Sequence, residues 1–181
     1  KAEVASTMSL AGTKEIDNGL EWSSKEQQEQ QFVTDYITSE LRRQGIKDIN
    51  IKGPYTVSAG NIEHLRSDIS FDLNKKYPLD IAWGLHPTPA VNGVPKEQST
   101  KLIKQIELED SRQDRSLYSG FIGLISQTSS RLYVNLRCCE LTNSNAHIHV
   151  GGGYTLQSDV DSEWEETERK SETLTRIFDL L

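Results

Sequence analysis

Helical patterning in this chain concentrates in two long stretches, and each carries two glutamates three residues apart. In the first, Glu26 and Glu29 precede apolar residues at helical spacing: Phe32, Val33, Tyr36, Ile37 and Leu41. In the second, Glu163 and Glu166 lie in a stretch that starts at Ser158 or Asp161 and runs almost to Leu181. Residues three apart share a helix face, so each stretch presents two carboxylates together. Between them, β-branched and aromatic residues alternate with polar ones in short runs. A chain so patterned is confined to an α+β fold, with helices laid on a largely antiparallel sheet.

The elements follow in order. Ser24 is the expected cap of the first helix, with Gln27 as its capping-box partner, and Gly45 its stop. Strands are expected at Ile49–Val57 and Ile62–Phe71. A short helix follows at Pro78–Leu85, ended by Pro87 and Pro89, and Pro95 sits in the first turn of a helix reaching about Glu109. Three antiparallel strands are expected at Ser119–Gln127, Arg131–Leu141 and Ala146–Val150, the last broken by Gly151–Gly153. The partly alternating run Lys1–Leu10 has strand character without a start methionine, so the chain is expected to begin inside a sheet of a longer polypeptide. No repeat, low-complexity tract or linker divides residues 1–181, which read as one portion of a single domain.

Composition narrows the function. With 20 basic and 27 acidic side chains the net charge is −7, and no run of Lys and Arg offers phosphate neutralisation, which argues against nucleic acid. No apolar stretch is long enough for a membrane helix and no signal-peptide pattern opens the chain. The two cysteines, Cys138 and Cys139, are adjacent, a poor spacing for a staple or a zinc site. A reducing cytoplasm is the expected compartment.

Several residues are candidates for chemistry, each with a plainer reading beside it. An E-x-x-E pair on a charged surface helix is commonly no more than solvated charge; four such carboxylates at one cleft would suit a hard divalent cation, Mg²⁺ above all. In His86-Pro87-Thr88-Pro89-Ala90-Val91-Asn92-Gly93-Val94-Pro95, three prolines and a glycine hold His86 and Thr88 in place, as a binding loop or as a rigid connector between helices. Arg137 falls on the polar face of its strand with Tyr133 and Asn135, suited to forked capture of a carboxylate or simply to solvent. Gly151–Gly153 permit close backbone approach or a tight turn. Lys170, four residues beyond Glu166, adds positive charge to that face or makes a surface ion pair. His147 and His149 share a strand face without an evident third ligand, and read as surface residues.

The stretch HPTPAVNGVP resembles the HPTPAxxGxP pattern of isochorismate synthases, within the chorismate-utilising enzymes that include anthranilate and salicylate synthases. Other segments resemble that family's motifs in the same order: Leu10-Ala11-Gly12-Thr13, Lys25 to Glu29, His64-Leu65, Arg115-x-x-Tyr118-x-Gly120-x-x-Gly123, Arg137, Gly151–Gly153, and Glu163-x-x-Glu166-x-x-x-Lys170. The likeness covers essentially the whole chain but only the C-terminal part of a family enzyme. It implies the C-terminal portion of the anthranilate/isochorismate synthase-type fold, with chorismate, a dicarboxylate, as substrate. By this resemblance Glu29 and Glu166 bind Mg²⁺, with Glu26 and Glu163 as outer partners. Gly12 and Thr13 serve the ring carboxylate, and Arg137 and Tyr118 the enolpyruvyl carboxylate, close to Gly151 and Gly153.

The implied reaction moves a hydroxyl from the 4- to the 2-position of chorismate, with menaquinone synthesis favoured over catechol siderophores. Salicylate or anthranilate synthesis, or a degenerate non-catalytic protein of the same fold, are the alternatives. The chain departs from the family pattern at Gln30, where histidine is usual, and at Lys14, where arginine often follows the Gly-Thr turn. The lysine base and glutamate acid of the reaction are expected upstream of Lys1, so the chain alone is expected to be inactive.

Overall fold

The computed structural model describes residues 3–16, 21–59 and 62–178. Two compact units divide the chain, Lys1–Thr100 and Lys101–Leu181, and each is described by itself.

In the first unit, strands β1 (Val4–Glu15), β2 (Ile49–Ala59) and β3 (Ile62–Asp72) form an antiparallel sheet in the order β1-β3-β2. Lys1 and Ala2, which fall in the expected first strand, lie outside the described residues. Helix α1 (Ser24–Arg43) packs on the sheet, followed by α2 (Pro78–Leu85), the single turn α3 (Pro89–Asn92) and α4 (Lys96–Ile103). The period of two in β3 buries Leu65, Ser67, Ile69 and Phe71 on one face. The 3.6-residue period of α1 brings Val33, Ile37 and Leu41 onto that layer, and Ile46, Leu73 and Ile81 complete the core. Each such side chain contributes about 1.5–3 kcal/mol on burial.

Helix α1 starts one residue earlier than its sequence suggests. Ser23, not Ser24, is the cap: its hydroxyl accepts from the Lys25 N–H at 3.2 Å, and the Glu26 carboxylate accepts from the Ser23 N–H at 2.9 Å. Glu26 therefore takes the capping-box position assigned above to Gln27, whose amide instead donates to the Trp22 carbonyl. At the far end Gln44 caps the helix and Gly45, at φ +84°, turns the chain out.

A buried polar knot fixes α1 on the sheet directly beside Glu29. The Gln30 amide donates to Ser9 Oγ at 2.8 Å and Ser67 Oγ at 3.1 Å; Ser9 Oγ lies 2.7 Å from Thr34 Oγ1, which donates back to the Gln30 carbonyl at 3.0 Å. Hydroxyls that both give and accept close this circuit, so a glutamine and three hydroxyl side chains are buried here with most of their hydrogen bonds made inside the protein.

The second unit contains a π-helical stretch (Lys104–Asp110) that continues α4, two antiparallel ribbons, and helix α5 (Val160–Phe178). Ribbon strands β4 (Phe121–Ile125) and β5 (Ser130–Val134) pair with each other, as do β6 (Cys138–Leu141) and β7 (Ala146–His149). The single strand expected over Arg131–Leu141 is thus two. The break falls at Arg137, whose backbone takes the left-handed conformation at φ +53°, which no extended strand can contain. The helix begins at Val160, with the Asp159 carboxylate accepting from the Ser162 N–H at 3.0 Å; neither Ser158 nor Asp161 is the cap. No helix among the described residues is long and apolar enough to cross a membrane.

Candidate functional site

In the first unit, the Leu10-Ala11-Gly12-Thr13 segment forms a bulge, where the β1–β3 register shifts between Ala11 and Thr13. Gly12 sits there at φ +74°, and a Cβ on it would lie 2.9 Å from the Cβ of Glu26. Both facts demand glycine: the backbone is left-handed, and the start of α1 approaches too closely for a side chain. His64 Nδ1 lies 2.9 Å from the Gly12 carbonyl and 3.2 Å from Thr13 Oγ1. A carbonyl can only accept, so Nδ1 carries the proton and donates to it. Gly12, Thr13 and Glu26 are thereby brought together at the N-terminal end of α1. Glu29, one turn on, is half-buried and faces Lys25, whose Nζ lies 3.8 Å from Glu29 Oε1.

His86 and Thr88 cap consecutive helices of the same unit, His86 at the C-terminus of α2 and Thr88 at the N-terminus of α3. The rigidity expected of this proline-rich segment has identifiable bonds. Lys96 Nζ donates to the His86 carbonyl at 2.9 Å and to the Tyr36 hydroxyl at 3.0 Å, while the buried Asn92 amide donates to the Lys96 carbonyl at 3.0 Å. Burial lowers the His86 pKa below the ordinary histidine value, and the Lys96 ammonium lowers it further. A lowered histidine pKa contributes stability that is fully present above the unfolded-state value, about 6.5, and is lost as pH falls through the folded-state value. The urea midpoint is therefore expected to fall as pH drops below about 6.5, and to fall less steeply in a His86→Gln variant. Equal slopes in the two proteins would remove His86 as the cause.

In the second unit, the glycine turn after β7 is packed against named partners. A Cβ on Gly151 would lie 3.0 Å from the Tyr118 hydroxyl, and one on Gly152 would lie 3.2 Å from Glu163 Oε2; Gly153 has nothing near it. Tyr118 is held by its ring as well. The Arg115 guanidinium lies 5.8 Å from the ring centroid, and the His149 imidazole stacks on it at 5.4 Å and 18°. Arg115 is itself fixed by a forked pair to Glu107 at 2.5 and 2.6 Å, which raises its pKa, while burial raises that of Tyr118. His149 thus departs from the surface reading given above, since its ring is half-buried against Tyr118. That contact joins residues 31 positions apart, and no local sequence pattern announces it. Cys138 and Cys139 are free thiols, both half-buried.

Arg137 reaches helix α5 rather than facing out from a strand. Its Nη1 donates to the Lys170 carbonyl at 2.8 Å and to Thr173 Oγ1 at 3.3 Å. On the same helix Lys170 Nζ lies 2.5 Å from Glu166 Oε1 and donates to the Gly151 carbonyl at 3.1 Å. The Glu166–Lys170 pair is more than the exposed i,i+4 bridge of the sequence reading, since 19% of the lysine side chain and 25% of the glutamate side chain remain exposed. Glu163, one turn earlier, is 2% exposed. This unit by itself therefore gathers Tyr118, Arg137, Gly151, Glu163, Glu166 and Lys170.

Among the described residues, no group of three or more His, Cys, Asp or Glu side chains is assembled to hold a metal. Each helix offers two carboxylates, three residues apart. That donor set suits Mg²⁺, which takes oxygen ligands, keeps several waters, and is usually held by one or two carboxylates together with substrate oxygens. It does not suit zinc, which favours nitrogen and sulfur.

Paired carboxylates and a bulged glycine turn in the first unit, and an arginine and tyrosine beside a glycine turn in the second, are the features of this α+β chain that could carry chemistry. The chain belongs to the chorismate binding enzyme family, whose profile matches residues 4–179. It is 28% identical over 169 residues to isochorismate synthase EntC of Escherichia coli K12, an alignment covering 92% of this chain and 42% of the relative. It is 32% identical over 169 residues to chloroplastic isochorismate synthase 2 of Arabidopsis thaliana, covering 91% of this chain and 29% of the relative. The solved structure of MenF, the menaquinone-specific isochorismate synthase of Escherichia coli, superposes with a TM-score of 0.83 at 25% identity, over 97% of this chain and 42% of that one. Component I of anthranilate synthase from Streptococcus pneumoniae shares the fold, with a TM-score of 0.80 at 24% identity, over 95% of this chain and 40% of that one. The chain spans about 42% of the length of the first of these relatives. The α+β fold expected from the sequence is the fold found.

Proposed function

We propose that this chain is the metal- and carboxylate-binding part of an isochorismate synthase, converting chorismate to isochorismate with Mg²⁺. The observation that carries this reading is the run His86 to Pro95: it follows the isochorismate synthase pattern in a chain whose relatives bear that name. Mg²⁺ would be held by Glu29 and Glu166, with Glu26 and Glu163 as outer partners, and would neutralise the ring carboxylate of chorismate. The Gly12–Thr13 bulge would offer that carboxylate backbone donors. Arg137 uses Nη1 for its bonds to α5, so its Nε–Nη2 edge is the fork that suits the enolpyruvyl carboxylate, with the Tyr118 hydroxyl as a second donor. His86 and Thr88 would contact substrate in this reading, and Gly151 and Gly153 would let the backbone approach it. The base that activates water and the acid that protonates the departing hydroxyl belong to residues outside this set. Menaquinone synthesis is the pathway we favour.

The test is a titration of chorismate into the 181-residue chain with Mg²⁺ and, separately, with EDTA, followed by product analysis. Binding that requires Mg²⁺, without turnover by this chain alone, is the expected result. Binding equally strong in EDTA would sink the metal assignment. Pyruvate release would move the protein to the salicylate or anthranilate branch, and no binding at all would favour a non-catalytic member of the fold.

A further inference from the structure

The two inner glutamates of the proposed metal site share a feature that the reaction does not require: each faces a lysine four residues away on its own helix. On α5, Lys170 Nζ lies 2.5 Å from Glu166 Oε1 and 3.1 Å from the Gly151 carbonyl oxygen. On α1, Lys25 Nζ lies 3.8 Å from Glu29 Oε1. The order is reversed between the helices, with the lysine after the glutamate on α5 and before it on α1, so a shared helix-dipole preference explains neither. Both pairs are largely withdrawn from water, with 19% and 25% side-chain exposure for Lys170 and Glu166 and 26% and 24% for Lys25 and Glu29. By contrast Arg169 and Glu165, one position back on α5, form a pair at 3.7 Å with 50% and 71% exposure.

We propose that Lys170 is the resident cation of the α5 carboxylate site, that a divalent metal binds there by displacing its ammonium from Glu166, and that Lys25 plays the same part at Glu29. The inference rests on the metal reading given above. Its physical content is competition for oxygens. The Lys170 ammonium already sits between a carboxylate oxygen and a carbonyl oxygen, which are the ligand types a hard cation takes. A half-buried carboxylate without a counter-charge would carry a desolvation penalty, which the lysine offsets until metal arrives. The arrangement also selects for charge. A monovalent ion gains nothing over the ammonium it must expel, whereas a dication at shorter range gains more.

Two measurements on the 181-residue chain test this. The first is acylation of lysines by an N-hydroxysuccinimide ester, read residue by residue by mass spectrometry, with and without Mg²⁺. Labelling of Lys170 and Lys25 is expected to rise several-fold on adding Mg²⁺, with Lys101 and Lys104 unchanged. The second is Mn²⁺ binding followed by electron paramagnetic resonance. Lys170→Met is expected to tighten Mn²⁺ by about two- to tenfold, the worth of an ion pair between exposed and half-buried, and Arg169→Met to tighten it far less. Equal gains in the two variants would mean a general charge effect and would overturn the displacement. So would Mn²⁺ binding that leaves Lys170 labelling unaltered, although the metal reading would stand. If neither the native chain nor Lys170→Met binds Mn²⁺, both the inference and the metal reading fall.

Discussion

Glu166→Gln is expected to lower the Mg²⁺-dependent affinity of the chain for chorismate at least about a hundredfold, since even outer-shell partners of a bound metal are each worth about 10–100-fold. The substitution keeps the shape of the side chain and removes its charge. Folding should hardly notice. Glu166 is half-buried and forms an ion pair with Lys170, so stability should move by no more than about 0.5–1 kcal/mol. The contrast between the two numbers is the point of the experiment, because a general loss of structure would depress both. Calorimetric titration with chorismate at saturating Mg²⁺, beside urea unfolding of the same preparation, separates them. An affinity within threefold of the native chain would mean that Glu166 is not a metal ligand.

The second large effect concerns the core that positions helix α1 and its glutamates. Ile69 lies at the middle of the central strand, between Thr7 of β1 and Ile51 of β2, with no exposed surface. It belongs to the cluster with Val33, Ile37 and Leu41 that seats α1 on the sheet. Ile69→Ala removes three carbons from a packed layer and leaves a cavity, at an expected cost of about 2–5 kcal/mol. Domains of this kind hold about 5–15 kcal/mol in all, so the urea midpoint should fall steeply. Ile51→Ala, at a neighbouring position 43% exposed, should cost far less. A loss below about 1 kcal/mol at Ile69 would mean that α1 is not held by this layer.

Legibility in the sequence followed the range of the interaction. Strands β2 and β3 begin at the residues expected and run two residues and one residue further, and α2 matches at both ends, because alternation and proline placement are local signals. The start of α1 differs by one residue from the expected one because Ser23 and Ser24 are adjacent and both can cap; the choice falls to the pair that puts Glu26, rather than Gln27, at the third helical position. The strand expected over Arg131–Leu141 is longer than either strand found because its alternation continues through Arg137, and a left-handed backbone at a non-glycine residue has no compositional signal. Within the candidate site, the glycines were legible as glycines, but not what they touch. Gly12 against Glu26, Gly151 against Tyr118 and Gly152 against Glu163 are contacts between distant segments. The stacking of His149 on Tyr118 and the bond from Arg137 to the Lys170 carbonyl were invisible for the same reason.

Arg137 links these observations to the way such a protein responds to selection. A non-glycine residue in the left-handed region carries about 1–2 kcal/mol of backbone strain that glycine would relieve. A screen that rewards thermal tolerance alone weighs that relief against the two Nη1 bonds to α5, which are of similar size, and so leaves the position open to glycine. That change would detach the β5–β6 corner from α5 and erase the forked donor proposed for the substrate. Only chemistry holds arginine at this one codon, so directed evolution of this scaffold has to score ligand capture in every round.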